Sequence, residues 1–267
     1  MEPAGLTDVR YAVDDGVAVV TIDRPERMNA FRAKTVEDLV ACLEAAWTDT
    51  AVGAIVLTGA GERAFCAGGD QKQRAETGDY GPSASGRMQL DRLHRLIRDV
   101  PKPVIAAVNG DAVGGGHVLQ VLCDLSVASA TARFGQAGPR VGSFDAGFGT
   151  GYLARVVGEK RARELWFLCE LIDAQTAKEW GLVNRVVEPA EVLSTALEMG
   201  RRAASLSPTA IAFLKHAFNT DTEHLAGTQR LADEGLALFV ATDEAKEGAT
   251  AFAEKRPPRF ARFRRKA

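Results

Sequence analysis

The sequence predicts an α/β fold in which a core of alternating strands and helices is followed by a helical C-terminal region. Continuously apolar, β-branched runs recur at Val17–Ile22, Gly53–Gly59 and Val104–Val108, which is typical of buried parallel strands. A segment with helical spacing separates the first two runs, which indicates a right-handed crossover. From Gly149 onward, apolar residues recur mainly at helical spacing.

Composition favours an ordinary globular protein. The chain has 267 residues, of which 46% are hydrophobic and 25% charged, enough for a substantial core. A formal net charge of -2 gives no reason to expect nucleic acid or a membrane surface as a partner. No apolar run approaches the roughly 18 residues of a membrane span, so we expect a cytoplasmic location. The four cysteines form no CxxC pair, and we expect reduced thiols and no metal site.

The first crossover continues into a glycine-containing junction. Thr35–Trp47 is predicted to be its helix, opened by Thr35 as a cap with Asp38 three residues on. After the second strand, the segment AFCAGGDQ at 64–71 places a glycine pair where a strand meets a loop. The polar stretch Lys72–Ser85 lacks periodicity and is predicted to be a mobile loop, with Tyr80 as its one aromatic residue.

A second helix and strand lead to three consecutive glycines. Met88–Val100 is amphipathic and stops before Pro101–Pro103, which cannot continue a helix. The strand Val104–Val108 is followed by Gly114–Gly116 and an apolar helix. The first N–H groups of a helix have no partner within it and lie at its positive end, so they suit an oxygen that carries charge. Leu125–Ala128 resumes strand character.

The loop Phe134–Gly149 carries the most distinctive chemistry. It places Ser143 and Asp145 two residues apart among five glycines. Glycines let a backbone approach a ligand closely, so this loop is a candidate site. The alternative is that Asp145 only caps a helix that starts near Thr150. The helices predicted beyond it span 161–169, 173–180, 190–205, 209–218 and 223–239, before a basic tail at the C-terminus.

Six motifs together resemble the crotonase, or enoyl-CoA hydratase/isomerase, superfamily. They are NAF at 29–31, AFCAGGD at 64–70, PKPVIAAVNG at 101–110, GGG at 114–116, CDL at 123–125 and FGQ at 134–136. The resemblance implies a β/α spiral core over residues 1–205. A C-terminal helical region over 206–267 would mediate trimerisation and cover the active site. It also implies acyl-CoA thioester substrates and a homotrimer or a dimer of trimers.

The resemblance further implies an oxyanion hole made by the N–H groups of Gly69 and Gly115. Fixed donors of this kind stabilise a developing enolate oxygen without reorganisation. Hydratases of the family also carry two glutamates, whose positions are occupied here by Val118 and Gly138. We therefore do not expect the usual addition of water to an enoyl-CoA. His117 lies nearby and is interpreted as a structural residue.

Within the family, two subgroups are most similar to this chain. These are 2-ketocyclohexanecarboxyl-CoA hydrolase and 1,4-dihydroxy-2-naphthoyl-CoA synthase, matched by GGDQ at 68–71, GGGHVL at 114–119, GPRVGSFDAGFG at 138–149, ARELWFLC at 162–169 and KRPPRF at 255–260. The hydrolase opens a ring by adding water to a β-keto thioester, and the synthase closes one by Claisen condensation. The resemblance implies that Asp145 moves the proton, that Ser143 orients the reacting oxygen and that Tyr80 closes over the substrate. Tyr80 packing on a neighbouring subunit is the alternative.

Several positions separate the two subgroups. Met28 and Ala137 agree with the hydrolase, which is our first expectation. The trio Gln136, Gly138 and Trp166 matches the bicarbonate pocket of one synthase class, in which bound bicarbonate is the base, so the synthase stays open. Both subgroups have a tyrosine where this chain has Val240, which also leaves open a different β-keto thioester.

The resemblance implies that coenzyme A enters as part of the substrate, with no tightly bound cofactor. Arg27 and Lys255 are the expected phosphate contacts, with Lys255 acting in its own or in a neighbouring subunit. A solvated basic tail is the alternative. A non-catalytic, RNA-binding relative that uses the basic tail 255–266 is the alternative from another class, and an aryl-CoA dehalogenase is a further enzyme option. The other residues expected to bind substrate are Ala67, Gly68, Asp70, Gln71 and Phe252.

Overall fold

The computed structural model describes residues 3–83 and 88–264 and contains two β-sheets. The larger sheet has the order β1-β2-β3-β5-β7-β10, and all its neighbours are parallel except β1 and β2. The smaller sheet has the order β4-β6-β8-β9. The strands are β1 (Val9–Asp14), β2 (Val17–Ile22), β3 (Ala54–Gly59), β4 (Ala64–Cys66), β5 (Val104–Val108), β6 (Asp111–Val113), β7 (Leu125–Ser129), β8 (Arg133–Gly135), β9 (Ile172–Asp173) and β10 (Arg185–Val187).

Helices surround the two sheets, and those after β10 form the C-terminal region. Short 3₁₀ turns occur at 25–27, 138–141, 189–191, 220–222 and 260–263. No helix within the described ranges is long and apolar enough to cross a membrane. The α-helices are α1 (Ala33–Thr48), α2 (Gln71–Thr77), α3 (Leu90–Asp99), α4 (Gly115–Leu122), α5 (Phe148–Val157), α6 (Glu159–Leu168), α7 (Ala174–Glu179), α8 (Val192–Ala204), α9 (Pro208–Asn219), α10 (His224–Val240) and α11 (Asp243–Ala253).

The predicted α/β core with a helical C-terminal region is confirmed. The three predicted apolar strands correspond to β2, β3 and β5. Every residue of β3 and β5 is buried. Strands that are covered on both faces need apolar residues at every position, which is why these runs do not alternate. The pairs β2–β3 and β3–β5 are parallel, as the strand–helix–strand order predicted.

The predicted cap of the first helix was wrong. The N-cap of α1 is Arg32, and Thr35 lies inside the first turn. Thr35 Oγ1 accepts from the Arg32 N–H and donates to Asp8 Oδ2 at 2.6 Å. Asp38 does not act as the cap partner, because its Oδ2 accepts the Asp8 N–H at 2.9 Å. Contacts with Asp8 in the N-terminal segment, rather than the local helix pattern, therefore determine where α1 begins.

The prediction of a mobile loop over 72–85 was also wrong in part. Residues 71–77 form α2, whose N-cap Asp70 accepts the Gln73 N–H at 3.1 Å. Arg74 is buried and donates to Gly142 O at 3.1 Å, so α2 docks on the glycine-rich loop. This tertiary contact compensates for the polar sequence of α2. Residues 84 and 85 lie outside the described ranges.

The region after Gly149 contains two short strands, β9 and β10, that its helical pattern did not predict. β10 pairs in parallel with β7, with Val186 opposite Ala128. Three residues are too few for periodicity to reveal a strand. The predicted helices appear as α6 to α10, and α11 follows them. Lys215 of α9 is buried and donates to Ile97 O and Asp124 Oδ2 at 2.9 and 2.7 Å, which fixes α9 to the core.

Asp8 stabilises the N-terminal segment, and we predict a pH-dependent cost for its replacement. Burial opposes ionisation, but hydrogen bonds from Arg32 and Thr35, with the charges of Arg32 and Arg24, outweigh it and lower the pKa of Asp8 to about 2. Because this pKa is depressed in the folded state, Asp8 stabilises the fold at pH values above its unfolded-state pKa of about 4. This stabilisation is lost as the pH falls toward 2.

We expect Asp8→Asn to lower the free energy of unfolding by about 1–2 kcal/mol at pH 7, less than the full linkage value because Arg32 is partly exposed. Urea unfolding at pH 7, 4 and 2.5 measures the difference, which should shrink as the pH falls. A difference that stays constant with pH would contradict this account of Asp8.

Candidate active site

A cavity of about 370 Å³ lies between the loops after β4, β6 and β8 and the C-terminal helices α10 and α11. Its size is that of an ordinary small-molecule site. Among the predicted site residues, Lys255 does not line it. Those that do are Arg27, Ala67, Gly68, Gly69, Asp70, Gln71, Tyr80, Gly115, Gln136, Gly138, Ser143, Asp145, Trp166 and Phe252.

The Gly69 N–H is available to a ligand. Gly69 and Phe31 form an isolated parallel bridge, in which the Phe31 N–H donates to Gly68 O and the Asp70 N–H donates to Phe31 O. The Gly69 N–H takes no part in this bridge, and no described residue accepts a hydrogen bond from it. Gly68 has φ +82°, a conformation that favours glycine. The loop therefore turns one backbone donor away from its own sheet.

Gly115 offers a second donor at the start of α4. It is the first residue of this helix, so its N–H has no partner within the helix. A Cβ on Gly68 would lie 2.9 Å from Gly115 N, so the two backbones are in contact. A Cβ on Gly115 would lie 2.6 Å from Phe31 Cζ. Phe31 thus holds the Gly69 loop through its backbone and contacts Gly115 through its ring.

Tyr80 covers the Gly69 loop. A Cβ on Gly69 would lie 2.6 Å from Tyr80 Cε1 and 3.0 Å from its hydroxyl oxygen. Gln71 Nε2 donates to Tyr80 OH at 3.1 Å and to Gly69 O at 3.2 Å. The Tyr80 ring therefore packs on its own chain at the cavity wall, next to the Gly69 donor.

Asp70 lines the cavity, but its carboxylate is engaged by the protein. Besides capping α2, it accepts from Arg24 Nη2 at 3.0 Å, and both side chains are buried. Arg24 also lies 3.6 Å from Asp8 and donates to Ala30 O. This chain of charges fixes the loop that carries Gly69. The geometry suits Asp70 to holding the loop rather than to contacting substrate.

Asp145 is both a helix cap and a cavity-lining carboxylate. Its Oδ1 accepts the N–H groups of Gly147 and Gly149 at 3.0 and 3.2 Å, at the start of α5. Asp145 therefore caps α5, which starts at Phe148, but only one of its two carboxylate oxygens takes part in the cap. Among the described residues, none donates a hydrogen bond to Oδ2. One oxygen of Asp145 is thus fixed while the other is available for proton transfer.

The two positions that lack the hydratase glutamates lie next to these groups. Val118 Cγ2 and Asp145 Cγ lie 2.9 and 2.8 Å from the point where a Cβ on Gly149 would stand. Asp145 therefore brings a carboxylate close to Val118, the position where the resemblance implies a hydratase glutamate. A Cβ on Gly138 would lie 2.9 Å from Ser143 O and 3.2 Å from the Trp166 ring. The backbone at 138 has no room for a glutamate without rearrangement.

Ser143 lines the cavity in the same loop as Asp145. Its N–H donates to Gly138 O at 2.9 Å, which closes the 3₁₀ turn over 138–141. In the described part of the chain, its hydroxyl has no hydrogen-bond partner. Ser143 can therefore orient a substrate oxygen, as the resemblance implied.

Gln136 and His117 form a buried pair beside the cavity. Gln136 Nε2 lies 2.9 Å from His117 Nδ1, and His117 is fully buried with its ring edge-on to Phe134. Burial lowers the pKa of His117 to about 3, so the ring stays neutral. His117 does not line the cavity. These features agree with the structural interpretation of this histidine.

Trp166 does not offer its N–H to a ligand in this structure. Its Nε1 donates to Gly149 O at 2.8 Å, so the group clamps the first turn of α5. The expected bicarbonate pocket would need that N–H turned to the cavity. The geometry therefore gives Trp166 the function of holding the Asp145 loop.

Of the predicted contacts to coenzyme A, Arg27 and Phe252 line the cavity and Lys255 does not. Arg27 lines the cavity. Its neighbour Met28 accepts the Ala67 N–H at 3.1 Å, and this hydrogen bond holds Arg27 beside the Gly69 loop. Phe252 of α11 lines the cavity and is 47% exposed. Lys255 is exposed and lies off the cavity, and Val240 does not line it either. The phosphate contact expected of Lys255 stays a prediction.

Glu247 binds much of the basic tail, which bears on the RNA-binding alternative. It accepts from Arg256 Nη1 at 2.7 Å and from the Arg259 N–H at 2.8 Å. These hydrogen bonds lower the pKa of Glu247 to about 2. Paired arginines are less available to phosphates, and Lys266 lies outside the described residues. The described part of the tail is therefore held against α11 at Arg256 and Arg259.

We predict that Glu247→Gln releases this tail. A neutral amide loses the charge that pairs with Arg256, so the residues after α11 should detach more often. Limited trypsin digestion should cut after Arg259 or Arg262 at least about fivefold faster than in wild type. Glu254→Gln, which removes the exposed second partner of Arg256, is the control. Equal cleavage rates for Glu247→Gln and wild type would contradict this view of the tail.

Several residues of the site were not predicted from the sequence, among them two polar residues of α10. Asp233 of α10 lines the cavity, and Gln229, one turn earlier, is buried beneath it. Gln229 falls on the buried face of α10 with Leu225 and Ala232. A polar residue on the apolar face of an amphipathic helix was the available signal.

Comparison with known proteins identifies relatives over nearly the whole chain. The family model described as enoyl-CoA hydratase/isomerase matches residues 12–263. An enoyl-CoA hydratase from Mycobacterium avium subsp. paratuberculosis K-10 is 29% identical, with TM-score 0.84, covering 96% of this chain and 100% of that one. A carnitinyl-CoA hydratase from Mycobacterium avium is 31% identical, with TM-score 0.83 and coverage of 96% and 98%. A monofunctional enoyl CoA isomerase from M. smegmatis is 32% identical, with TM-score 0.69 and coverage of 81% and 94%.

Proposed function

This chain belongs to the enoyl-CoA hydratase/isomerase family, and we propose that it opens the ring of a cyclic β-keto acyl-CoA by adding water. The observation that carries the proposal is that Asp145 Oδ2 accepts no hydrogen bond from the described residues, in the cavity that also contains the Gly69 and Gly115 donors. The family acts on acyl-CoA thioesters. The ring-opening reaction and the residue roles are our proposal.

The proposed reaction starts with the thioester oxygen at the N–H groups of Gly69 and Gly115. Asp145 Oδ2 removes a proton from water, and the resulting hydroxide attacks the ring ketone while Ser143 donates to its oxygen. The bond between the ketone carbon and the α-carbon then breaks. Its electron pair becomes the thioester enolate, which the two N–H groups stabilise by about 3–4 kcal/mol each. Asp145 then gives the proton it took from water to the α-carbon, and the new carboxylic acid ionises, which yields an open-chain acyl-CoA that carries a new carboxylate.

Water addition to an enoyl-CoA is less well supported, although two of the three neighbours described above are named hydratases. Val118 and Gly138 provide no carboxylate at the two positions where hydratases have one. The synthase with bicarbonate as base is also less well supported, since the Trp166 N–H donates to Gly149 O. We propose that Asp145 itself is the base.

A double-bond isomerase is the second candidate. Moving a proton from one carbon to another along an enolate needs only one base, and Asp145 Oδ2 is one available base. The structural match to an enoyl CoA isomerase gives this option further weight. It would use the same two backbone donors and would not need Ser143.

Product analysis by mass spectrometry separates these reactions. The protein is mixed separately with 2-ketocyclohexanecarboxyl-CoA, o-succinylbenzoyl-CoA, crotonyl-CoA and 3-hexenoyl-CoA. We expect the first to gain one water and become pimeloyl-CoA. Loss of water from o-succinylbenzoyl-CoA would indicate the synthase, hydration of crotonyl-CoA a hydratase, and conversion of 3-hexenoyl-CoA to its conjugated isomer an isomerase. Any of these as the fastest reaction would overturn our choice.

We also propose the homotrimer, or dimer of trimers, that the resemblance implies. Large apolar side chains of the C-terminal helices are exposed, including Phe213, Phe218, Leu231 and Leu238. Apolar surface on this scale commonly marks an interface. Light scattering of the purified protein tests the proposal, and a monomer would contradict it.

A further inference from the structure

The cavity-covering helix α10 holds the Asp145 loop through a buried glutamine. Gln229 Oε1 accepts the Phe148 N–H at 2.8 Å, and the residue is 2% exposed. The N–H groups on either side, of Gly147 and Gly149, are the two that donate to Asp145 Oδ1. Three consecutive N–H groups at the start of α5 are thus shared between Gln229 and Asp145. Fixing the middle one restrains the other two.

Helix α10 lies directly on this backbone. A Cβ on Gly147 would stand 2.2 Å from Gln229 Oε1 and 2.6 Å from Gln229 Cα. Glycine at 147 therefore permits the close approach that lets a glutamine side chain reach Phe148. Both the amide and the N–H are buried, and breaking such a bond leaves two unpaired polar groups. The first turn of α5 cannot shift without moving Gln229.

Asp233 determines which way the Gln229 amide faces. Gln229 Nε2 donates to Asp233 Oδ1 at 2.8 Å. An ionised carboxylate only accepts hydrogen bonds, so the amide must turn its NH₂ toward Asp233 and its oxygen toward Phe148. Asp233 also lines the cavity. One side chain therefore connects the cavity wall to the turn that holds Asp145.

We propose that Gln229 is a positioning residue for Asp145, and that Asp233 orients the Gln229 amide. This inference rests on the proposed function, because it assumes that Asp145 moves the proton. Gln229 does not line the cavity, and its link to Asp145 runs through the first turn of α5. An acyl group that displaces Asp233 would move Gln229 and hence Asp145. The pair therefore links the fit of the acyl group to the placement of the base.

Three variants test the inference through kinetics. Gln229→Met removes the hydrogen bonds to Phe148 and Asp233 at similar volume, together with the contact between Gln229 and the buried His94. We expect kcat to fall about 10–100-fold while KM stays within about threefold. Gln229→Glu keeps an acceptor for Phe148 but faces the carboxylate of Asp233, so kcat should also fall. In Gln229→Glu/Asp233→Asn the donor and acceptor change places, because the new asparagine amide donates to the new glutamate. The kcat should then return to within about threefold of wild type. Gln175→Met, an exposed position on α7, is the control.

Hydrogen exchange provides a readout that does not depend on the substrate. We expect the Phe148 amide of the ligand-free protein to exchange at least about tenfold faster in Gln229→Met and near the wild-type rate in the double variant. Wild-type kcat in Gln229→Met would overturn the inference, as would failure of the double variant to recover. Full activity of Asp145→Asn would instead overturn the proposed function, and the exchange result would still report the contact between Gln229 and Phe148.

Discussion

We expect Asp145→Asn to abolish ring opening while leaving the fold intact. The amide oxygen can still accept the N–H groups of Gly147 and Gly149, so the cap of α5 is kept. The replacement removes the base, whose contribution is about 10²–10⁴ in rate. Steady-state kinetics with 2-ketocyclohexanecarboxyl-CoA measures the loss in kcat, and calorimetry with the CoA product measures binding, which should stay within about threefold.

A pair of variants separates the two functions of Asp145. Asp145→Ala removes both the base and the cap, so it should lose activity and also about 0.5–2 kcal/mol of stability. Asp243→Asn makes the same change at an exposed aspartate in the first turn of α11 and should leave the rate unchanged. More than a tenth of wild-type activity in Asp145→Asn would rule out the assigned proton transfer.

Gly115→Ala is expected to lower kcat/KM by about 10²-fold, with a loss in kcat. The added Cβ would lie 2.6 Å from Phe31 Cζ, and Phe31 is almost completely buried. The backbone of Phe31 bonds to Gly68 O and the Asp70 N–H on either side of Gly69. Pushing the ring therefore disturbs both donors of the oxyanion hole. Initial rates over a range of substrate concentrations measure the effect.

The control for this variant is Gly227→Ala. It adds the same methyl group on α10 where no neighbour lies within 4 Å, and it should be neutral or stabilising by about 0.5–1 kcal/mol. Combining Gly115→Ala with Phe31→Leu should recover part of the activity, because the smaller side chain relieves the collision. Wild-type kcat/KM in Gly115→Ala would argue against an oxyanion hole at this position.

Local sequence patterns predicted the core and most of the cavity because the physical signals are local there. The strands β3 and β5 are continuously apolar because both faces are covered. Gly68 and Gly114 are needed where φ is positive, and such glycines stand out in a sequence. Motifs that depend on short-range backbone geometry therefore located the loops of the site.

Features that depend on tertiary contacts were not predictable in this way. Helix α2 has a polar sequence, and it docks through Arg74 on a loop nearly 70 residues away. The strand β10 exists because β7 offers an unpaired edge. Gln229 and Asp233 gain their positions only when α10 packs on α5. In each case, the partner that gives the residue its function is distant in sequence.

The closing test is turnover of 2-ketocyclohexanecarboxyl-CoA in H₂¹⁸O, with the label located by tandem mass spectrometry. Attack of water on the ring ketone, with the enolate held at Gly69 and Gly115, predicts pimeloyl-CoA with one ¹⁸O in its free carboxylate and an intact thioester. Release of free coenzyme A with the label in the thioester-derived carboxylate would mean that water attacks the thioester instead. Unchanged substrate alongside hydration of crotonyl-CoA would equally contradict the account.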